Sequence, residues 1–259
     1  MLSLLSKPAP KPFIASSTGG RLAYAVGDVH GRLDLLKRLV DAIVDDQAQA
    51  SAKRADQPLL IFLGDYVDRG DNARGVIDLI LQLTRASAFD VRCLKGNHEE
   101  ALLAFLSDST TGPTWAQHGG AATLLSYGVQ PPADRLSLEG WEEARKAFAA
   151  TLPAEHLTFF QSLELSICLG DYMFVHAGVR HGVDLAEQSE HDLLWIRRAF
   201  LDEKRPFDKM IVHGHSPVEQ PYVGANRIGV DTGAYATGVL SAVRLDGADR
   251  RFLTTAGGR

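Results

Sequence analysis

Five short polar segments of this chain combine glycine with carboxylate, amide and imidazole side chains. In order they are Gly27-Asp28-Val29-His30-Gly31, Gly64-Asp65-Tyr66-Val67-Asp68-Arg69-Gly70, Gly96-Asn97-His98-Glu99, His176-Ala177-Gly178 and His213-Gly214-His215. Each stands where an apolar run ends. Asp, Asn and His offer oxygen and imidazole nitrogen but no sulfur. That donor set suits manganese, iron, zinc or magnesium and argues against copper(I) or an iron–sulfur cluster. A single carboxylate such as Asp65 can bridge two ions, which sets two-metal sites about 3.5–4 Å apart. Taken alone, a Gly-Asp after a strand is a turn, and a lone histidine is a surface or satisfied core residue. Gly96–Glu99 alone reads as a helix start with Asn97 as its cap. All five together point to one convergent site.

Convergence requires strands lying side by side, since ligands of open α/β sheets gather beyond the carboxyl ends of the strands. Leu22–Val26, Leu59–Leu63 and Val91–Leu94 are apolar runs of strand length. Between them, Leu36, Leu39, Val40, Ile43 and Val44, and then Val76, Ile77, Ile80, Leu81 and Leu83, fall on helical faces. This alternation predicts βαβ units and a parallel sheet. The polar stretch Gln47–Gln57 reads as a loop or a frayed helix end. Residues from about 102 to 163 hold helical patches, Trp115, Trp141, a Gly119–Gly120 pair and a Pro131–Pro132 break, but no clear strand. They predict a helical insertion over one end of the sheet. Strands resume at Leu165–Leu169, Tyr172–Val175, Met210–Val212, Arg227–Val230 and Val239–Leu245. Their close succession predicts hairpins and a mixed or antiparallel second half.

The 259 residues, 45% hydrophobic and 23% charged, suit one decorated α/β domain or two small ones. A formal charge of -5 and a pI near 6.0 argue against general nucleic-acid binding, which needs a basic face. No apolar run approaches the roughly 18 residues of a membrane span. Residues 1–20 lack the basic start and continuous apolar stretch of a secretory signal. They read as a flexible tail, residues 21–259 as one domain, and the protein as cytoplasmic. Cys93 and Cys168 sit in apolar runs and read as core residues, with no thiolate metal motif. His118, His156, His181 and His191 lie in polar stretches and read as exposed. His213 stays open, as a bystander or a support for His215. The three tryptophans read as packing.

The motifs resemble those of the calcineurin-like metallophosphoesterases, and within them the bacterial and phage-type phosphoprotein phosphatases, from about Leu22 to Leu245. The GDVHG, GDYVDRG and GNHE segments stand in full, and Gly214-His215-Ser216-Pro217 and Val230-Asp231-Thr232-Gly233 resemble the phage-type enzymes. The resemblance implies an α/β fold with central mixed β-sheets, sandwich-like and flanked by helices. It implies Asp28 and His30 as ligands of a first metal, Asp65 as the bridge, and Asn97, His176 and His215 as ligands of a second. His98 matches the catalytic histidine, Asp68 the carboxylate that orients it, and Arg69 a phosphate-binding arginine. A second phosphate clamp is assigned to Arg197, with Arg198 the competitor. The implied cofactor is a pair of divalent ions, manganese ahead of iron, zinc or magnesium. Pro217 stands where many metallophosphoesterases carry a further metal histidine, which the phosphoprotein phosphatases also lack. His176-Ala177-Gly178 replaces the His-Gly-Gly common in eukaryotic relatives and is also seen in symmetrical diadenosine tetraphosphate hydrolases.

The implied chemistry accounts for these residue types. Two cations neutralise phosphate charge and lower the pKa of water. Arginine forks fit the non-bridging oxygens. An alkoxide leaving group needs a proton, which His98 held by Asp68 would supply, worth roughly 10²–10⁴-fold. The leading expectation is a serine/threonine protein phosphatase acting on a phosphorylated protein or a small phosphoester. A dinucleotide polyphosphate hydrolase is the second reading and an inactive metal-bound scaffold the third. The intact Asp68–His98 pair counts against the scaffold.

Overall fold

Of the 259 residues, the computed structural model describes 15–51 and 56–256. Leu22–Val26 (β1), Leu59–Phe62 (β2) and Asp90–Cys93 (β3) run parallel and adjacent, with Ala23 opposite Leu59 and Leu59 opposite Asp90. Helices Leu33–Ser51 (α1) and Ala73–Arg85 (α2) make the crossovers, and Asn72 caps α2 by accepting from Gly75 N. α1 continues well into the polar stretch after Gln47. Every residue of β1 and β2 is buried because both faces of the sheet are covered. Tyr24, Val26, Leu60 and Phe62 pack on α1 and α2, while Ala23, Ala25, Ile61 and Leu63 face the opposite way.

What they face is a second sheet. Ser166–Leu169 (β4), Tyr172–Val175 (β5), Met210–His213 (β6), Tyr222–Val223 (β7) and Arg227–Gly229 (β8) stack in the order β4-β5-β6-β8-β7. Phe174, Val212 and Ile228 meet Ala23, Ile61 and Leu63 in the layer between the sheets. Burial of each large apolar side chain there contributes roughly 1.5–3 kcal/mol. On the outer side, Met173, Val175 and Ile211 are covered by Leu193 and Phe200 from Glu190–Trp195 (α8) and Arg198–Leu201 (α9). Ser241–Asp246 (β9) returns to the first sheet antiparallel to β1, followed by Asp249–Thr254 (β10), in the order β10-β9-β1-β2-β3. The result is a mixed-sheet sandwich flanked by helices.

Several expectations need correction. α8 and α9 intervene between β5 and β6, so β5, β6 and β8 are parallel neighbours rather than hairpins; only β4–β5 and β7–β8 are antiparallel pairs in this sheet. β7 and β10 were not anticipated. Residues 1–14 of the expected tail lie outside the described residues, but 15–20 are tied down. Ala15 is buried, Asp171 Oδ2 accepts from Ser16 N and Ser17 N at 2.9 Å, and Arg250 donates to Ala15 O at 2.6 Å. Cys168 is exposed on the edge strand β4, whereas Cys93 is half-buried and packs against the core from the edge strand β3. No helix among the described residues is long and apolar enough to cross a membrane.

The middle third is helical: Asn97–Ser107 (α3), a 3-10 turn at Ser109–Thr111, Gly112–Trp115 (α4), a π turn at Ala116–Gly120, Ala121–Ser126 (α5), Leu138–Thr151 (α6) and Ala154–Gln161 (α7). It has an aromatic core of Phe105, Trp115, Tyr127, Trp141 and Phe148. His156 on α7 is fully buried rather than exposed, held by Tyr127 Oη at 2.8 Å and Asp78 at 3.0 Å.

Candidate metal centre

The five polar segments meet at one rim, three from the first sheet and two from the second. The loops are joined backbone to backbone. Val29 N and His30 N both donate to Asp65 O at 3.0 and 2.8 Å, and Gly70 N donates to His30 O at 3.0 Å. Glu99, fully buried at the start of α3, accepts from Asp65 N and Tyr66 N at 2.8 Å and from Gly96 N at 3.0 Å. Gly64 has φ +104°, and a Cβ there would lie 2.7 Å from Gly96 N. Five of the candidate site residues also stand on left-handed backbone: His30 (φ 45°), Asp65 (52°), Asp68 (69°), Arg69 (68°) and His215 (61°). Each such residue costs roughly 1–2 kcal/mol relative to an ordinary conformation, a strain characteristic of functional sites.

Asp65 lies at the centre. Its Oδ2 is 3.5 Å from His30 Nε2 and its Oδ1 is 3.5 Å from His176 Nε2. Two sets of buried donors, His30/Asp65/His98 and Asp65/His176/His215, each lie within 4.8 Å of one another and share that carboxylate. The proton positions follow from the partners. His30 Nδ1 faces Val67 O at 2.9 Å and His176 Nδ1 faces Leu63 O at 2.8 Å; a carbonyl only accepts, so both Nδ1 atoms carry the hydrogen. That leaves each Nε2 lone pair aimed inward, the usual arrangement of metal-binding imidazoles. His176 Nε2 then confronts Asn97 Oδ1 at 3.0 Å, two acceptors in contact. His215 Nε2 is buried with no hydrogen-bond partner among the described residues. Burial holds His30 down at about 3 and His215 at about 2, and lowers His176 as well, so all three stay neutral and ligand-competent.

The carboxylates carry the complementary strain. Asp28 accepts from His215 N at 3.0 Å, yet burial and the neighbouring Asp231 and Asp65 push it well above the usual carboxylate range. Burial likewise raises Asp231 to about 6. Asp65 is also desolvated, yet its carboxyl is held below the usual carboxylate range by the surrounding histidines, of which His98 is the one that carries a charge. Crowded carboxylates facing neutral imidazole lone pairs and an orphaned nitrogen fit divalent cations. Asp28, His30, Asp65, Asn97, His176 and His215 are the residues that can hold them.

Beside these donors, His98 Nδ1 donates to Asp68 Oδ2 at 2.6 Å. Burial disfavours a charged His98, but Asp65 and Asp68 prevail and lift it to about 9. Arg69 and Arg197 line the same cavity of about 250 Å³, together with Asp28, His30, Asp65, Asn97, His98 and His215. Arg198 begins α9 and is not among the lining residues.

Sequence reasoning assigned no role to several residues that shape the site. Thr123 Oγ1 donates to Asp68 Oδ1 at 2.6 Å, and Trp115 Nε1 to Asp68 Oδ2 at 2.9 Å, so Trp115 does more than pack. Arg69 N donates to Gly119 O of the π turn at 3.2 Å, and the Arg69 guanidinium lies 4.4 Å over the Tyr235 ring. The helical insertion therefore braces both Asp68 and Arg69. Asp231 also lines the cavity. Its Asp-Thr-Gly segment was the available signal, because it follows an apolar run like the other motifs. His213 is buried behind the site, with Nδ1 against Gly214 O and its ring edge-on to Phe200.

Asp, Asn and His donors gathered at the strand ends of a two-layer mixed sheet form a site suited to divalent metal ions. The chain belongs to the calcineurin-like phosphoesterase family, which residues 23–239 match. It is 26% identical over 225 residues, 85% of this chain and 88% of the other, to the bis(5'-nucleosyl)-tetraphosphatase PrpE [asymmetrical] of Halalkalibacterium halodurans. A protein of the same name from Geobacillus thermodenitrificans is 25% identical over 236 residues, with the same coverage of both chains. Among solved structures, one provisionally named a diadenosine tetraphosphatase superposes with a TM-score of 0.62 at 18% identity, covering 94% of this chain and all of the other. A cold-active protein-tyrosine phosphatase from a Shewanella species gives 0.52 at 16%, covering 90% and 80%. These structural likenesses speak for the fold alone.

Proposed function

We propose that this protein is a two-metal hydrolase of dinucleoside polyphosphates. The observation that carries the reaction class is Asp65, whose two oxygens face two separate sets of imidazole nitrogens. Asp28, His30 and Asp65 would hold one ion, and Asp65, Asn97, His176 and His215 the other. When bound, divalent ions there would neutralise phosphate charge and make water nucleophilic near neutral pH. Arg69 and Arg197 grip the non-bridging oxygens and orient the phosphorus. His98, fixed by Asp68, places Nε2 toward the leaving oxygen. The substrate class is supported by the relatives named bis(5'-nucleosyl)-tetraphosphatases, aligned along 85% of the chain. Their label is asymmetrical, whereas the motif His176-Ala177-Gly178 by itself suggested the symmetrical kind.

Two measurements test this reading. With diadenosine tetraphosphate and added manganese, the expected products are AMP and ATP; two ADP molecules would indicate symmetrical cleavage, and no turnover would remove the substrate assignment. Elemental analysis is expected to find Asp65→Asn depleted of metal and His98→Asn still loaded. A metal-free His98→Asn protein would make His98 a ligand. A second reading, a protein phosphatase, is favoured by the braced His98–Asp68 pair, since a seryl alkoxide needs a proton far more than a polyphosphate does. Turnover of a phosphoserine peptide at a rate exceeding that of the dinucleotide would decide for it.

A further inference from the structure

A larger chamber, of about 620 Å³, opens directly beside the metal cavity and shares Arg69, Asn97, His98 and Arg197 with it. Three walls enclose it. The first is α3, where Asn97, His98, Ala101 and Ala104 follow one another at helical spacing. The two alanines hold that wall back. The second wall comes from the insertion and carries Thr110, Thr111, Thr114, Trp115 and His118. The third is Trp195 at the end of α8, with Arg197 beyond it.

Trp195 is the unusual member. It is 40% exposed, although a large apolar side chain beside a catalytic rim would ordinarily be covered. Its indole is also held in place. Nε1 donates to Glu100 Oε2 at 2.7 Å, and the ring stands edge-on to His215 with centroids 6.3 Å apart. A fixed, partly bare indole face next to a phosphate site is a stacking platform. On the facing wall, His118 donates from Nδ1 to Thr114 O at 2.8 Å, which leaves Nε2 as an acceptor. An aromatic platform, a ring-edge acceptor and two arginines at the mouth match a nucleoside joined to a phosphate.

We infer that this chamber is a nucleoside subsite, with Trp195 stacking on the base of the nucleotide whose phosphorus is attacked. The inference rests on the dinucleotide reading above. Because the chamber abuts the metal cavity, its nucleoside carries the reacting phosphorus directly on its 5' oxygen. Water oxygen then bonds to that phosphorus, and the bridging P–O bond breaks. Its electron pair leaves with the triphosphate, and the proton released from water passes to solvent. Asymmetrical cleavage follows from where the base sits.

Three readouts on the manganese-loaded enzyme test the subsite. Competitive inhibition is expected to show AMP binding about tenfold tighter than inorganic phosphate, the contribution of one stacked base. Trp195→Ala is expected to remove that margin and Trp195→Phe to keep most of it. Ala104→Phe, which adds bulk to the α3 wall of the chamber, is expected to depress kcat/KM for diadenosine tetraphosphate at least five times more than for p-nitrophenyl phosphate. In heavy-oxygen water the label is expected in AMP. AMP and phosphate binding equally, or label in ATP, would overturn the subsite. If the enzyme hydrolyses p-nitrophenyl phosphate but not the dinucleotide, the substrate assignment falls. The AMP-to-phosphate ratio still judges the chamber by itself.

Discussion

Two buried histidines of this molecule each pair with an aspartate, and only one of them faces the metal cavity. His156 is fully buried, with Nε2 donating to Asp78 at 3.0 Å and Nδ1 accepting from the Tyr127 hydroxyl at 2.8 Å. Both nitrogens are engaged, Asp78 is 56% exposed, and burial holds the imidazole neutral by lowering its pKa. His98 also gives one nitrogen to a carboxylate, but Asp68 is itself fully buried and clamped by Thr123 and Trp115. Its second nitrogen opens onto the cavity, with Arg69 3.4 Å away and Asp65 3.9 Å away. The pairing does not distinguish a catalytic histidine from a structural one. What distinguishes them is a second nitrogen that faces the cavity and a carboxylate held at both of its oxygens.

The sharpest way to break this comparison is to remove both imidazoles in turn. His98→Asn is expected to lower kcat on a phosphoserine peptide by roughly 10²–10⁴-fold. The loss on p-nitrophenyl phosphate and diadenosine tetraphosphate is expected to be much smaller, because nitrophenolate and polyphosphate leave without a proton. Steady-state kinetics on the three substrates decides, and equal losses with chemistry rate-limiting would take the proton-donor role from His98. His156→Ala is expected to act on stability alone, by about 2–3 kcal/mol, from the cavity and the stranded Tyr127 hydroxyl. The melting temperature would then fall by about 5–10 °C. A folded His156→Ala enzyme with crippled kcat would erase the distinction. The smallest effect sharpens it: Thr123→Val removes two hydrogen bonds from Asp68, of which only the one to Oδ1, worth about 1 kcal/mol, bears on the carboxylate that holds His98. It is expected to reduce phosphoserine turnover by no more than about tenfold. The leaving-group bias of His98→Asn should persist in weaker form, and Thr123→Ser should restore the rate.

The contrast also explains what could be read along the chain. β1 and β2 were legible because both of their faces are buried, and an unbroken apolar run is then the only sequence that fits. The strand-end motifs were legible because each carries its glycines and donors within a few residues. β10 was not, since Arg250 and Arg251 belong to an edge strand that alternates between exposed and half-covered. His156 was misjudged for a related reason: Asp78 and Tyr127 lie 78 and 29 residues away, and a polar neighbourhood in sequence became a satisfied core in space. Thr123 stands 55 residues from Asp68, and nothing near it in the chain marks it as a brace.

The hydrogen bonds that join the two sheets at the rim bear on how the protein comes into being. His176 meets Leu63 O across 113 residues of chain, and His215 N meets Asp28 across 187. Contacts of such long sequence separation form slowly, because the loops they close must be ordered first. During synthesis, domains fold from the N-terminus as chain becomes available. Asp28, His30 and Asp65, proposed above for one ion, all lie within the first 65 residues, whereas the other set lacks a member until His215 has emerged. The residues of one proposed half-site are thus synthesised long before those of the other, and Asp65 can face both only once the second sheet has packed on the first.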